Sequence, residues 1–198
     1  MRSGTILAAF ALALAFQLPA GAQTTASKVE VAGAYSYIRL NLNGPGFTEG
    51  AQTNGGTGSL AINVTHSLGI VGEIGGYKTS TMYKAGGQNV SFTSFLFGPR
   101  YNIRKWDTLT PYFQTLVGGV KGNHELFLGG NPAAPIIRTD QSALAWTLGG
   151  GLDAKVTRCL AVRVFQAEYM LTKWNNFGVG HQNSFRVETG LVFRFGKR

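Results

Sequence analysis

The sequence predicts an all-β protein, an eight-stranded antiparallel up-and-down transmembrane β-barrel. Three observations carry this reading. Apolar residues recur at every second position in eight segments, the connections between those segments alternate between short and long, and the one long apolar run sits at the N-terminus. Composition narrows the field first. Glycine supplies 28 of 198 residues, about twice the usual ~7 % share. Charged residues make up 14 %, against a typical ~25 %. With 44 % hydrophobic and 12 % aromatic residues, the chain has too much apolar area for a disordered protein. Its glycine content would cost a coiled coil about 1 kcal/mol per helical position. The single cysteine, Cys159, excludes an internal disulfide framework and a Cys-based zinc cluster.

Arg2, the eleven-residue apolar run Ile6–Phe16 and the small-residue site Ala20-Gly21-Ala22 have the layout of a secretory signal peptide. Eleven apolar residues fall well short of the ~20 that a membrane-spanning helix requires. Residues 1–22 are therefore read as a signal peptide and 23–198 as the barrel domain. No later run is long enough to span a bilayer as a helix, so an exported chain of this kind is either soluble or a β-barrel. Loss of Arg2 lowers the net charge from +9 to +8.

Period-two patterning then assigns two faces, because successive strand side chains point to opposite sides. Val31, Tyr35 and Tyr37 oppose Glu30, Ala32, Ala34 and Ser36 in Val29–Leu40. Leu60, Ile62 and Val64 stand on one face of Ser59–Thr65, and Leu68, Ile70 and Ile74 oppose Val71, Glu73 and Tyr77. Phe95, Phe97, Pro99 and Tyr101 oppose Ser94, Leu96, Gly98 and Arg100. Phe113, Thr115 and Val117 are chosen as the outer face of Leu109–Val120. Leu144, Trp146, Leu148 and Leu152 oppose Ala143, Ala145, Gly149, Gly151 and Asp153. In Leu160–Leu171, Arg163 and Glu168 have opposite parity: either a β-bulge lies between them or Glu168 sits near a membrane rim. The clearest segment closes the chain, with Phe185, Val187, Thr189, Leu191, Phe193 and Phe195 opposite Ser184, Arg186, Glu188, Gly190, Val192 and Arg194.

Connections 65–67, 102–107 and 155–158 are short, whereas 41–57, 78–89, 121–142 and 172–182 are long and rich in Gly, Asn, Thr and Pro. Alternation of this kind suits an outer membrane barrel with tight periplasmic turns and longer outer loops. On those grounds the chain resembles the OmpA-type outer membrane β-barrel family, in its barrel-only form, over most of residues 29–195. The resemblance rests on Tyr35-Ser36-Tyr37-Ile38-Arg39, Phe97-Gly98-Pro99-Arg100-Tyr101, Gly149-Gly150-Gly151-Leu152-Asp153 and Leu191-Val192-Phe193-Arg194-Phe195, in that order. It implies a bacterial outer membrane location with both termini in the periplasm and no peptidoglycan-binding domain. It also implies insertion by barrel-assembly machinery that reads a last strand ending in an aromatic. Here Phe195 is followed by Gly196-Lys197-Arg198, so that signal is internal. The role it implies is envelope integrity or adhesion through the outer loops, without a cofactor.

An eight-stranded barrel is just wide enough for side chains to fill its interior. The expected lumen charges are Glu73, Arg100, Asp153, Arg163, Arg186, Glu188 and Arg194, with Glu168 dependent on the bulge. An unpaired charge there would be costly, so a salt-bridge network is expected, with Glu73–Arg100 as a cross-strand pair. Trp106 suits the periplasmic rim, Trp174 and Tyr83 the outer rim, and Trp146 the lipid-facing wall. Lys78, Lys84, Lys121, Arg138 and Lys173, in or beside the outer loops, would meet lipopolysaccharide phosphates and outer membrane lipids.

Other chemistries fit poorly. Gly149-Gly150-Gly151 lacks the spacing and the following helix of a nucleotide-binding turn. His66, His124 and His181 fall in different connections, so no metal site is expected. His181 and Ser184 lie three apart near the outer rim, as lipid-modifying enzyme machinery would, but no carboxylate on that rim is placed to orient them, and the chain is read as non-enzymatic. Its bases do not cluster as a nucleic-acid surface would require. Cys159 is expected to be a small buried residue, with intermolecular pairing as the alternative. Two rivals remain: a small OmpW-type channel, and a soluble periplasmic ligand-binding barrel of lipocalin shape with the opposite polarity.

Overall fold

A computed structural model describes residues 26–41, 51–83, 86–128, 137–173 and 182–197. Eight strands make up nearly all of it: β1 (Ser27–Asn41), β2 (Ala51–Asn63), β3 (Leu68–Tyr83), β4 (Gly86–Asn102), β5 (Leu109–Leu128), β6 (Ile137–Lys155), β7 (Leu160–Thr172) and β8 (Gln182–Lys197). Each pairs antiparallel with its neighbours in sequence, and β1 closes the sheet on β8, with Val29 opposite Phe195 and Ile38 opposite Arg186. The result is a closed eight-stranded antiparallel up-and-down barrel. Closure leaves no unpaired edge, the condition for a sheet to cross a bilayer. Among the described residues, no helix is long and apolar enough to cross a membrane.

Three connections, 64–67, 103–108 and 156–159, gather at one end of the barrel, together with the start of β1 and the end of β8. This is the turn end; the opposite end is the loop end. Two of the turns share a construction. Val64 and Thr65 donate backbone N–H to the Leu68 carbonyl, as Val156 and Thr157 do to that of Leu160. In each, the threonine hydroxyl then accepts from the backbone N–H three residues on, at 2.9 Å for Leu68 and 3.0 Å for Leu160. A threonine that satisfies the turn backbone with its own side chain explains why neither turn needs glycine.

At the loop end the strands run further than the sequence suggests. Residues 51–58, 78–83, 86–93, 121–128 and 137–142, which fall in or beside the expected long connections, are strand. Their Gly, Asn and Thr content mimics a turn, yet a ladder requires only backbone pairing, as Tyr83 opposite Gly86 and Leu126 opposite Ile137 illustrate.

The faces separate as the alternation indicates. Phe97 is 63 % exposed and Leu144 65 %, and Phe95, Phe113, Phe185, Phe193 and Trp146 also point outward. Buried between them on the inner face are charged and amide side chains. A soluble lipocalin-shaped barrel requires the reverse arrangement. The parity conflict in β7 resolves as a bulge: pairing with β8 shifts register between Arg163 and Gln166, and Val164 and Phe165 both face outward. Arg163 and Glu168 consequently both face inward, each 1 % exposed. The Thr189 hydroxyl donates to the Arg163 carbonyl, 3.0 Å away, at this interruption.

The signal-like segment 1–22, Lys84, Trp174 and His181 lie outside the described residues, as do the side chains of Tyr83, His124 and Arg138. Cys159 corrects an expectation: it is exposed. It sits in the 156–159 turn, which projects past the barrel mouth where no facing strand covers it.

Candidate functional site

The inner wall concentrates the protein's ionic chemistry. Among the described residues it holds five arginines (Arg100, Arg104, Arg163, Arg186 and Arg194) and five carboxylates (Glu30, Glu73, Asp153, Glu168 and Glu188). Formal charge therefore balances inside the barrel, as burial demands.

Arg186 on β8 is the hub. Its Nη1 lies 2.6 Å from Glu73 Oε1 on β3, across the lumen, and also donates to the Tyr77 hydroxyl at 2.9 Å. Its Nε donates to Glu168 Oε2 at 3.0 Å, its Nη2 contacts the same oxygen, and Nε lies 3.4 Å from Glu188 Oε1. Arg186, Glu73 and Glu168 are completely enclosed. Only a planar, five-donor guanidinium can face this many acceptors at once.

From the hub the contacts run towards the turn end. The Gln114 amide donates to Glu168 Oε1 at 2.6 Å and its oxygen accepts from Arg100 Nε at 2.8 Å. Gln166 donates to Glu188 Oε2 at 2.9 Å, while its oxygen accepts from the Tyr112 hydroxyl at 2.5 Å. The Tyr112 ring lies between two cations, with the Arg100 guanidinium carbon 4.4 Å and that of Arg163 5.1 Å from its centroid. That contact offsets part of the cost of burying two like charges close together. Arg163 also donates to its register partner Asp153 at 3.1 Å. Gly149 and Gly151 make this possible: a Cβ at Gly151 would lie 2.5 Å from the Tyr112 hydroxyl, and one at Gly149 would press on the Ala167 carbonyl of the neighbouring strand and lie 2.7 Å from Glu168 Cγ. Gly149 and Gly151 thus let the strands and their large inward neighbours approach closely, in a strand and not in a nucleotide-binding turn.

A second cluster closes the turn end around Glu30. Its Oε1 accepts from Ser27 Oγ at 2.6 Å, Asn63 Nδ2 at 3.1 Å and Arg104 Nη2 at 3.1 Å, with Arg194 Nε at 3.8 Å. On the loop side of the hub the lining turns neutral: Ile38, Val120, Ala145 and Met170 are buried together with the hydroxyls of Thr53, Thr147 and Ser184, and Tyr77 stacks on Phe92 with centroids 4.6 Å apart.

Glu73 and Arg100 are not partners. Register places Arg100 opposite Gly69 and Glu73 opposite Leu96. Barrel closure instead delivers β8 to the β3 carboxylate. Sequence reasoning passed over Arg104, in a turn where alternation says nothing of direction. It also passed over the neutral bridges Tyr112 and Gln114, although their parity was readable, and Gln166, whose side depends on the β7 bulge. Glu30 was assigned to the inner parity but not counted among the charges. His66 is exposed in the first turn, Ser184 is buried on β8, and among the described residues no three His, Cys, Asp or Glu side chains could hold a metal ion.

A family model for the outer membrane protein beta-barrel domain matches residues 8–195. The chain belongs to this family. It is a bacterial outer membrane barrel with no helical domain among its described residues. Among solved structures it is similar to Neisserial surface protein A (14 % identity, 87 % of this chain and 100 % of that one, TM-score 0.61). It is also similar to Ail, the attachment invasion locus protein of Yersinia pestis, in complex with the heparin analogue sucrose octasulfate (14 % identity, 86 % and 99 % covered, TM-score 0.59). At these identities the likeness is one of fold. No curated protein matches the chain.

Proposed function

We propose that this family member is a non-enzymatic outer membrane barrel whose work is done by its wall and its loop end, while its filled lumen stabilises the structure and conducts nothing. The observation that carries the reading is the Arg186 hub, with three carboxylates enclosed around one guanidinium and an apolar layer packed on its loop side. A conduit needs a hydrated path, and side chains without solvent exposure offer none at that level. In this reading the signal segment 1–22 is removed, barrel-assembly machinery inserts 23–198, both termini and the turn end lie in the periplasm, and the loop end faces outward.

Exposed Lys78, Lys121 and Lys173, all towards the loop end, supply positive charge for lipopolysaccharide phosphates. Ail's complex with a polysulfated sugar gives a precedent for anionic ligands on this fold. Ser184 is buried and faces the lumen, which supports the non-enzymatic reading.

Two measurements test the proposal. Folded protein extracted in detergent should migrate differently on gels before and after boiling, and release into buffer without detergent would contradict membrane insertion. The small OmpW-type channel is separated by single-channel recording, where steady openings would favour the channel.

A further inference from the structure

The outer wall over β2–β5 is built differently from the rest of the barrel surface. Pairing aligns Asn54, Lys78, Ser91 and Asn123 across four strands, and one step down aligns Gly56, Gly76, Thr93 and Lys121. The next outward-facing row contains Gly58, Ile74, Phe95 and Gly119, and the one below it Leu60, Gly72, Phe97 and Val117. Within two rows the wall therefore passes from polar and cationic to wholly apolar, the transition that marks a headgroup boundary. Two hollows follow these rows and meet at Phe95. The upper, about 600 Å³, is lined by Lys78, Lys121, Ser91 and Thr93; the lower, about 760 Å³, by Leu60, Ile74, Phe97 and Gly72. Backbone floors both hollows: a Cβ added at Gly72 in the lower one, or at Gly76 in the upper one, would meet nothing within 4 Å. Among the described residues, no carboxylate forms an ion pair with Lys78 or Lys121.

We propose that this paired hollow is a docking groove for one phosphorylated glycolipid of the outer leaflet, the lipid A portion of lipopolysaccharide. Its phosphate would be held between Lys78 and Lys121, and an acyl chain would lie over Gly72 between Ile74 and Phe97. Charge complementarity selects an anionic headgroup, and the apolar hollow immediately beneath selects a headgroup that carries acyl chains rather than a soluble anion. The two lysines flank β4, two strand spacings apart and offset by two residues, which puts their Cα atoms about 12 Å apart. That spacing suits two long ammonium side chains converging on a headgroup from either side. Ser91 and Thr93 add hydroxyl donors between them. The inference rests on the proposed orientation, with the loop end in the outer leaflet.

The test reconstitutes the full protein into phosphatidylcholine vesicles with or without bisphosphorylated lipid A, or with dephosphorylated lipid A, and follows thermal unfolding by gel mobility. Wild type should gain about 5 °C from the bisphosphorylated lipid alone, as ligand linkage to the folded state requires. Lys78→Gln/Lys121→Gln should lose that gain while keeping the unfolding temperature it has in phosphatidylcholine. Gly72→Leu, which fills the open floor, should weaken the gain with both lysines intact. A gain undiminished in the lysine double variant overturns the groove and leaves general lipopolysaccharide contact standing. A gain from dephosphorylated lipid A of the same size overturns the role of the lysines. A cross-linked dimer through this wall, with no lipid-dependent gain, assigns it to a second copy and overturns the proposal. Orientation is read independently by a membrane-impermeant maleimide on intact cells. Cys159 at the turn end should stay unlabelled, and labelling would show that the orientation itself had failed.

Discussion

The two halves of the lumen are filled by opposite means. Towards the turn end, arginines, carboxylates and amides face one another in ion pairs and directional contacts; on the loop side of Arg186, Ile38, Val120, Met170 and the stacked Tyr77–Phe92 pair fill space with mainly apolar volume. In the ionic half each group depends on particular partners, so an isosteric change that removes a charge strands the others. In the apolar half any side chain of suitable volume serves. The contrast shows that a narrow barrel can be filled in two ways, and that the two respond differently to substitution.

The largest expected effect breaks the ionic half at its hub. Arg186→Met keeps the bulk but leaves Glu73, Glu168 and Glu188 without their shared cation, a loss of about 3–5 kcal/mol. Urea unfolding in detergent micelles, followed by gel mobility, measures it. Restoring much of that loss by adding Glu168→Gln would confirm that stranded charge, and not lost packing, is responsible. Tyr112→Leu comes next: Arg100 and Arg163 lose the ring between them and Gln166 loses its donor, for about 2–3 kcal/mol. The apolar half supplies the contrast. Met170→Leu preserves volume and should cost less than about 1.5 kcal/mol, whereas a loss as large as that of Arg186→Met would erase the distinction. Smallest is Arg104→Ala at the turn end, at about 1 kcal/mol, because Ser27, Asn63 and Arg194 still face Glu30.

How much of this was legible in the sequence follows from what period two encodes. It reports which face a residue joins, so inward Glu73, Arg100, Asp153, Glu188 and Arg194 could be read from parity. The opposed parities of Arg163 and Glu168 posed the bulge as one of two alternatives, and the outward pair Val164–Phe165 decides between them. Period two does not report height or the strand across the lumen. The Glu73–Arg100 pairing failed for that reason: adjacency in chain order put β4 beside β3, while closure put Arg186 of β8 within 2.6 Å of Glu73. Arg104 was invisible because a turn has no period. The strand extensions at the loop end were read as loop because their ladder is backbone pairing, to which Gly55, Thr79 and Asn89 contribute as well as valine would. Nor could alternation reveal the hollow over β2–β5, since it arises from outward glycines on adjacent strands coming into register.

The central claim is that these two fillings together leave no hydrated path. Single-channel recording of the purified wild-type barrel in planar bilayers tests it most directly, with Arg186→Met recorded alongside. The expected result is a flat baseline for wild type at voltages the bilayer tolerates. Steady, voltage-proportional openings from the wild-type barrel would contradict it.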